Sequence, residues 1–225
     1  MVFCQLPPQK FWGLLEYKPQ WTLSLKGWLF LVFVLVLLLI SFALSIHPFL
    51  RMSRPLDADV MIVEGWVSDK TIEAAMAEFK DKDYRLMITT GNEIGRGKYL
   101  SDYKTLADLA AATVIALGLN PNQVVAVPNT TVQVNRTAAS AKAVKQWLLE
   151  SNLAVKAINI YSFDVHTRRS WLVFKGILEP EIKVGAIAFT PPSSVPWWKT
   201  SAGIKSVIVE TIAYLYTKLI WPIEK

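Results

Sequence analysis

From residue 27 to residue 50 this chain contains no aspartate, glutamate, lysine or arginine, and residues 29–40 are unbroken apolar sequence. About 20 such residues cross the hydrocarbon core of a bilayer as a helix. A core helix in a soluble domain keeps a polar face over that length, and this segment has none. A transmembrane helix is therefore predicted over 27–50. It divides the chain into a tail (1–26), the span, a linker bearing Pro55 (51–57) and a domain (58–225). Ala43-Leu44-Ser45 offers small residues of the kind a signal peptidase accepts. However, the region before the span is long, and the apolar run exceeds the roughly 7–15 residues of a signal-peptide core, which favours an uncleaved anchor.

Lys10, Lys18 and Lys26 precede the span with Glu16 among them, and Arg51 and Arg54 follow it. This near balance gives the positive-inside rule little to act on. The preferred topology puts the short tail inside and the domain on the extracytoplasmic side. The single cysteine, Cys4, lies in the tail, so the domain needs no disulfide and tolerates either redox compartment. The net charge of +6 comes from scattered basic residues. Nucleic-acid binding calls for a clustered basic face. Attraction to anionic lipid or to an anionic ligand accounts for the charge more simply.

Beyond the linker, apolar runs of strand length occur at 59–63, 85–89, 123–127, 155–161 and 182–189. Helical periodicity lies between and after them, at 69–80, 102–117, 137–150, 166–178 and 204–219. This alternation predicts βαβ crossovers and a mainly parallel five-stranded sheet in a Rossmann-like three-layer α/β sandwich. The loops after the strands of such a sheet gather at one edge, where ligands bind. Reading those loops is therefore a functional argument.

The richest joint is 158–170, where an apolar run gives way to Ser162, Asp164, His166, Arg168 and Arg169 before a helical pattern resumes. His166, one of two histidines, sits near a helix start. The helix dipole favours neutral imidazole there, as a general base or a hydrogen-bond donor. Glu64 ends the first strand and reads as an acid/base group, a ligand to a polar substrate, or a solvated loop carboxylate. Glu64 and His166 are the candidate catalytic pair. Asp164 is either a ligand contact or a helix N-cap. Arg136, Arg168 and Arg169 lie near two helix N-termini, where backbone N–H groups and guanidinium forks together make an anion site. Adjacent helical residues diverge by about 100°, so one of Arg168 and Arg169 must face away. Thr90, Gly91 and Thr137 complete the candidate ligand-binding set.

Several motifs fail. Residues 91–98 have five residues between Gly91 and Gly97, and Tyr99 stands where a phosphate-binding loop has Ser or Thr. No Gly-x-Gly-x-x-Gly follows the first strand, and no Gly-x-Ser-x-Gly nucleophile elbow exists. One cysteine and two histidines do not make a transition-metal site. No motif names a cofactor.

The order of the remaining motifs resembles the YdcF/SanA/ElyC family of bacterial envelope-associated proteins, over about 57–184 and onward toward the C-terminus. The resemblance rests on Ala58-Asp-Val-Met-Ile-Val-Glu-Gly65, Thr89-Thr90-Gly91, Leu117-Gly118, Asn135-Arg136-Thr137 and His166-x-x-Arg169. Glu64-Gly65-Trp66 departs from the family's usual glycine run. The resemblance implies a Rossmann-like fold behind one membrane helix and a role in bacterial cell-envelope or polysaccharide biogenesis. On that basis the expected location is the bacterial inner membrane, single-pass. The expected ligand is a polar anionic metabolite or a lipid-linked saccharide, and envelope-biogenesis proteins are possible partners. The alternatives are a non-catalytic binding or assembly factor, and a cytoplasmic nucleotide- or S-adenosylmethionine-binding enzyme. The aromatic residues Trp197, Trp198, Tyr214, Tyr216 and Trp221 further predict a C-terminal helix close to the bilayer.

Overall fold

A computed structural model of the chain describes residues 10–18, 20–129, 134–191 and 195–220. The chain divides into two compact units, the second beginning at His47. In the first unit, strands β1 (Lys10–Phe11), β2 (Leu15–Lys18) and β3 (Gln20–Leu23) pair antiparallel in that order. The sequence of this tail carries no strand pattern. A turn makes the first hairpin: Trp12 and Gly13 take φ of 54° and 70°, which brings Leu15 opposite Phe11. Such short strands lack the repeated apolar alternation that would reveal them.

Helix α1 (Leu25–Leu50) follows, with Ser24 Oγ accepting from Gly27 N at 3.3 Å. Over its most apolar 18 residues the mean hydropathy is 3.2, and the 26-residue helix is long and apolar enough to cross a membrane. At about 1.5 Å per residue it exceeds the roughly 30 Å of a hydrocarbon core.

The second unit is an all-parallel five-stranded sheet with helices on both faces. Its strands are β4 (Val60–Glu64), β5 (Leu86–Gly91), β6 (Val124–Pro128), β7 (Ala157–Phe163) and β8 (Lys183–Phe189). They lie in the order β6-β5-β4-β7-β8. The sheet thus grows outward from β4 in one direction and restarts on the other side of β4 with β7. The crevice at such a switch point is where ligands bind in open α/β sheets.

Side-chain alternation sets what each face holds. Val60, Ile62, Ile88, Ile158 and Ile160 pack against helices α4 (Arg136–Glu150) and α5 (Thr167–Leu178). Met61, Val63 and Met87 pack on the opposite face against α2 (Asp69–Asp81) and α3 (Leu106–Ala116). Extending the period by one step, Glu64, Thr90 and Ser162 emerge on the α4/α5 side. Three polar side chains therefore end apolar rows at one corner of the sheet.

Helix α3 was expected from residue 102 but begins at Leu106. Thr105 is its N-cap, with Oγ1 accepting from Asp108 N at 3.1 Å and donating to Asp108 Oδ2 at 2.6 Å. Leu106 N is spent on Asn92 O at 2.8 Å. A cap that satisfies orphan N–H groups fixes a helix start more firmly than propensity does. Gly91 allows this contact: a Cβ there would lie 2.7 Å from Leu106 Cβ.

The segment after α1 is tied to the sheet. Arg54 pairs with Ala186 on edge strand β8 (Arg54 N to Ala186 O, 2.7 Å). Buried Asn159 accepts from Leu56 N at 2.9 Å and donates to Leu56 O at 2.8 Å. Gly185 leaves room for this crossing, since its Cβ would meet Leu56 N at 2.9 Å. The final helix, α6 (Ser201–Leu219), carries Thr200 as its cap, Oγ1 accepting from Gly203 N at 3.0 Å.

Candidate functional site

Glu64 is the last residue of β4 and only 3% exposed. A bare carboxylate at that depth would take up a proton, because burial disfavours its charged form. Three neighbours reverse this. The Ser162 hydroxyl, at the corresponding end of β7, donates to Oε2. The Ser170 hydroxyl, one turn into α5, donates to Oε1 at 2.9 Å. His166 Nε2 stands 3.5 Å from Oε1. Burial raises the Glu64 pKa, but the His166 charge and these hydrogen bonds together bring it below the usual value.

His166 ends a single 3₁₀ turn over Asp164–His166 that joins β7 to α5. Asp164 opens the turn at φ 43°, a left-handed conformation that Asp tolerates better than most residues. The turn aims the imidazole between two carboxylates. Nδ1 donates to Glu210 Oε1 at 2.9 Å, and Glu64 lies on the Nε2 side. Burial alone would lower the imidazole pKa, but the two carboxylates overcome it and raise it to about 9. This corrects the expectation of a neutral imidazole. A helix N-terminus contributes roughly 0.3–1 kcal/mol, and it loses to two carboxylates in a buried setting.

Glu210 comes from the middle of α6. Arg169 grips it from Nε to Oε2 at 2.8 Å and from Nη2 to Oε1 at 3.2 Å. Burial raises its pKa, but the hydrogen bonds and charges of His166 and Arg169 bring it down to about 2. Glu64, His166, Glu210 and Arg169 thus form a buried cluster of two anions and two cations. Its balance is what makes its depth tolerable. His166 Nε2 is buried and makes no hydrogen bond among the described residues, its nearest charge being Glu64. Trp66, just after β4, stands edge-on to the imidazole at 4.8 Å between ring centroids.

A second wall is the start of α4. Asn135 occupies its N-cap in the left-handed region (φ 55°, ψ 42°) without a side-chain cap bond. The Arg136 guanidinium is exposed and makes no hydrogen bond or ion pair among the described residues. Thr137 Oγ1 receives Arg169 Nη1 at 3.4 Å, which joins α4 to the charge cluster. Asn129, after β6, holds the helix start by donating from Nδ2 to Arg136 O at 3.3 Å and to Ser140 Oγ at 2.5 Å.

These walls enclose a cleft of about 580 Å³. Of the residues expected to form the site, Glu64, Thr90, Gly91, Arg136, Thr137, His166 and Arg169 line it. Asp164 and Arg168 do not. Asp164 accepts from Thr190 Oγ1 at 3.1 Å and pairs with His47 Nε2 at 3.2 Å. It is not a side-chain helix cap either. The Arg168 guanidinium lies 3.9 Å over the Phe49 ring, and its Nε donates to the Phe49 carbonyl. One arginine of the pair does face away, as helical geometry requires. Among the described residues no cluster of His, Cys, Asp and Glu could hold a metal ion.

Glu210, Asn92, Asn135, Ser140 and Ala213 also line the cleft without having been among the candidate site residues, although Asn135 belongs to the Asn-Arg-Thr motif. Ser162 and Ser170 stand in the polar joint read from the sequence, but neither was a candidate site residue. Glu210 had a usable signal: it is the only acidic residue of α6, set amid apolar residues. The serines had none, since a buried Ser is visible only once its partner is placed. No protein-family model and no curated protein matches this chain.

Proposed function

We propose that this chain is a single-span protein of the bacterial cell envelope whose extracytoplasmic α/β domain binds and processes an anionic ligand. The ligand is a phosphate- or carboxylate-bearing envelope metabolite or a lipid-linked saccharide. One observation carries the reading: the Arg136 guanidinium, unpaired among the described residues, the N-terminus of α4 and the charged His166 converge on one cleft at the switch point of the sheet. Backbone N–H groups at a helix start and a guanidinium fork are the recurring means of holding an anion. His166, held charged between Glu64 and Glu210, supplies positive charge to the cleft and, in an enzyme, the proton to the bound group. Glu64 and Glu210 keep it charged and oriented. The envelope assignment rests on the resemblance to the YdcF/SanA/ElyC family, and the membrane anchor on the length and apolarity of α1.

A second reading, a binding module without turnover, is favoured by Glu64. Its oxygens are taken up by Ser162 and Ser170, with His166 close by, so it is not free to act as a base. Calorimetric titration of the detergent-solubilised full chain with inorganic pyrophosphate tests both readings. Saturable binding that Arg136→Ala abolishes while the circular dichroism spectrum is unchanged supports the anion site. Absence of binding, or binding indifferent to Arg136→Ala, refutes it. His166→Ala then separates the readings. A proton donor contributes about 10²–10⁴ in rate, so an enzyme keeps binding and loses turnover, whereas a binding module changes only modestly in affinity.

A further inference from the structure

Helix α6 has its faces distributed the wrong way round for a helix in water. Val207, Tyr214 and Thr217 are buried, and Glu210 is turned into the cleft. The face turned outward is a continuous apolar band of Ile204, Ile208, Ile212, Leu215 and Leu219, flanked by Val209 and Tyr216. Ile212 is 63% exposed and Leu219 73%. Single exposed apolar residues are ordinary, but a contiguous band marks a surface that something covers. Trp198, 54% exposed, stands just ahead of the helix. Lys205 and Lys218 are the only other charged residues on it, so its outer face carries no anion.

Chain connectivity identifies the cover. Residues 47–50 are the last turn of the apolar helix α1 and also the first residues of the α/β unit. Within that unit Phe49 packs edge-on against Tyr214 of α6, with ring centroids 5.4 Å apart. If α1 crosses a bilayer, the residues that leave it are in contact with α6. An apolar face bordered by aromatic and lysine side chains is the composition of a helix lying in a membrane interface.

We infer that α6 is a second membrane contact, lying along the surface of the bilayer that α1 anchors, with its 204–208–212–215–219 face in the lipid. This rests on the membrane-span part of the proposed function, not on the chemistry of the cleft. It differs from the aromatic signal in the sequence: Tyr214 is packed inside the domain, Trp221 lies outside the described residues, and aliphatic side chains supply the contact. The opposite face of the same helix supplies Glu210 and Ala213 to the cleft, so docking holds one wall of the cleft at headgroup level.

The test uses the full chain in phosphatidylcholine–phosphatidylglycerol vesicles. Cys4, the only cysteine, is replaced by serine, and an environment-sensitive fluorophore is placed singly at Ile208→Cys, Ile212→Cys, Leu38→Cys in α1 and Glu73→Cys on the exposed side of α2. Lipids carrying a nitroxide high on the acyl chain are then added. Blue-shifted emission that is strongly quenched at 208, 212 and 38, with emission at 73 remaining aqueous and unquenched, is the expected result. Quenching at 38 but not at 208 or 212 overturns the docking of α6 and leaves the span standing. No quenching at any position overturns both. Emission at 208 and 212 that is blue-shifted but unquenched, and that reverts on dilution of protein in lipid, shows a second copy of the chain on this face and also overturns the inference. Two label sites on exposed positions guard against one variant misfolding.

Discussion

His166 and Arg169 turn into the cleft, while Asp164 and Arg168, from the same short stretch, turn toward the entry of the chain at His47 and Phe49. Both pairs lie at the joint of β7 and α5, the first made of two cations and the second of a carboxylate and a cation. Their surroundings differ. The inward pair meets two carboxylates, Glu64 and Glu210, and Glu64 is held in turn by two serine hydroxyls. The outward pair holds the entry of the chain, Asp164 meeting the His47 and Thr190 side chains and Arg168 the ring and carbonyl of Phe49. Neighbouring polar residues thus become part of a charge-balanced site on one side of the joint and a domain clasp on the other. For the two arginines, adjacent on α5, the step of about 100° between neighbouring helical residues is what sorts them.

The largest effect that would break this comparison is at Glu64. Glu64→Leu leaves His166 charged beside one carboxylate and strands the Ser162 and Ser170 hydroxyls. Removing one partner of a buried pair costs about 3–5 kcal/mol, so a large fall in the thermal midpoint of the full chain is expected. A fall no greater than that of an exposed control such as Glu73→Leu would mean the cluster is not interdependent.

Glu210→Gln comes next. It removes a charge-assisted pairing with both His166 and Arg169, worth roughly 1.5–3 kcal/mol. It should also lower the His166 pKa from about 9 toward 6.5. The imidazole proton resonances followed by NMR against pH report this directly, and an unmoved titration would show that Glu64 alone sustains the charge.

The pH dependence of stability sharpens the same point. His166 is raised from 6.5 to about 9, so its contribution is complete below 6.5 and is lost as pH climbs through 9. Glu210 is lowered from 4.5 to about 2, so its contribution is complete above 4.5 and is lost as pH falls through 2. Glu64, also lowered, acts with Glu210. Stability should therefore peak between 4.5 and 6.5 and decline on the alkaline side by about 1–3 kcal/mol. A stability curve still rising from pH 7 to 9 would contradict the charged histidine.

The smallest effect is expected on the outward pair. Arg168→Ala forfeits a half-solvated contact with Phe49 and should cost about 1 kcal/mol or less. Pyrophosphate binding should be unchanged by it, in contrast to Arg136→Ala and Arg169→Ala. Loss of binding in Arg168→Ala would erase the distinction between the two sides of the joint.

Much of this molecule was legible in one dimension. The uncharged run from 27 to 50 and the alternation of five apolar runs with five helical patterns arise from local periodicity, which reflects burial directly. They announced the apolar helix and the α/β sandwich, with boundaries displaced by a few residues. The helix start at Leu106 was misplaced because a cap, not propensity, sets it. The hairpins before α1 were missed because two- to four-residue strands carry no readable period. At the site, the position of a polar residue after a strand was enough to collect Glu64, Thr90, Arg136, His166 and Arg169 at one edge. That rule works because parallel strands must point their carboxyl ends the same way.

Tertiary structure alone decided what those residues are. It brought Glu210 from a helix more than forty residues beyond His166 in the chain. It turned His166 from an expected neutral base into a cation, and it spent the oxygens of Glu64 on Ser162 and Ser170. It also sent Asp164 and Arg168 to the other side of the joint. Charge state and hydrogen-bond partners depend on distances of a few ångströms between segments far apart in sequence. Burial makes those distances decisive, because a low-dielectric interior magnifies every nearby charge. Local pattern determines which face a residue occupies, and only the packed chain determines what it meets there.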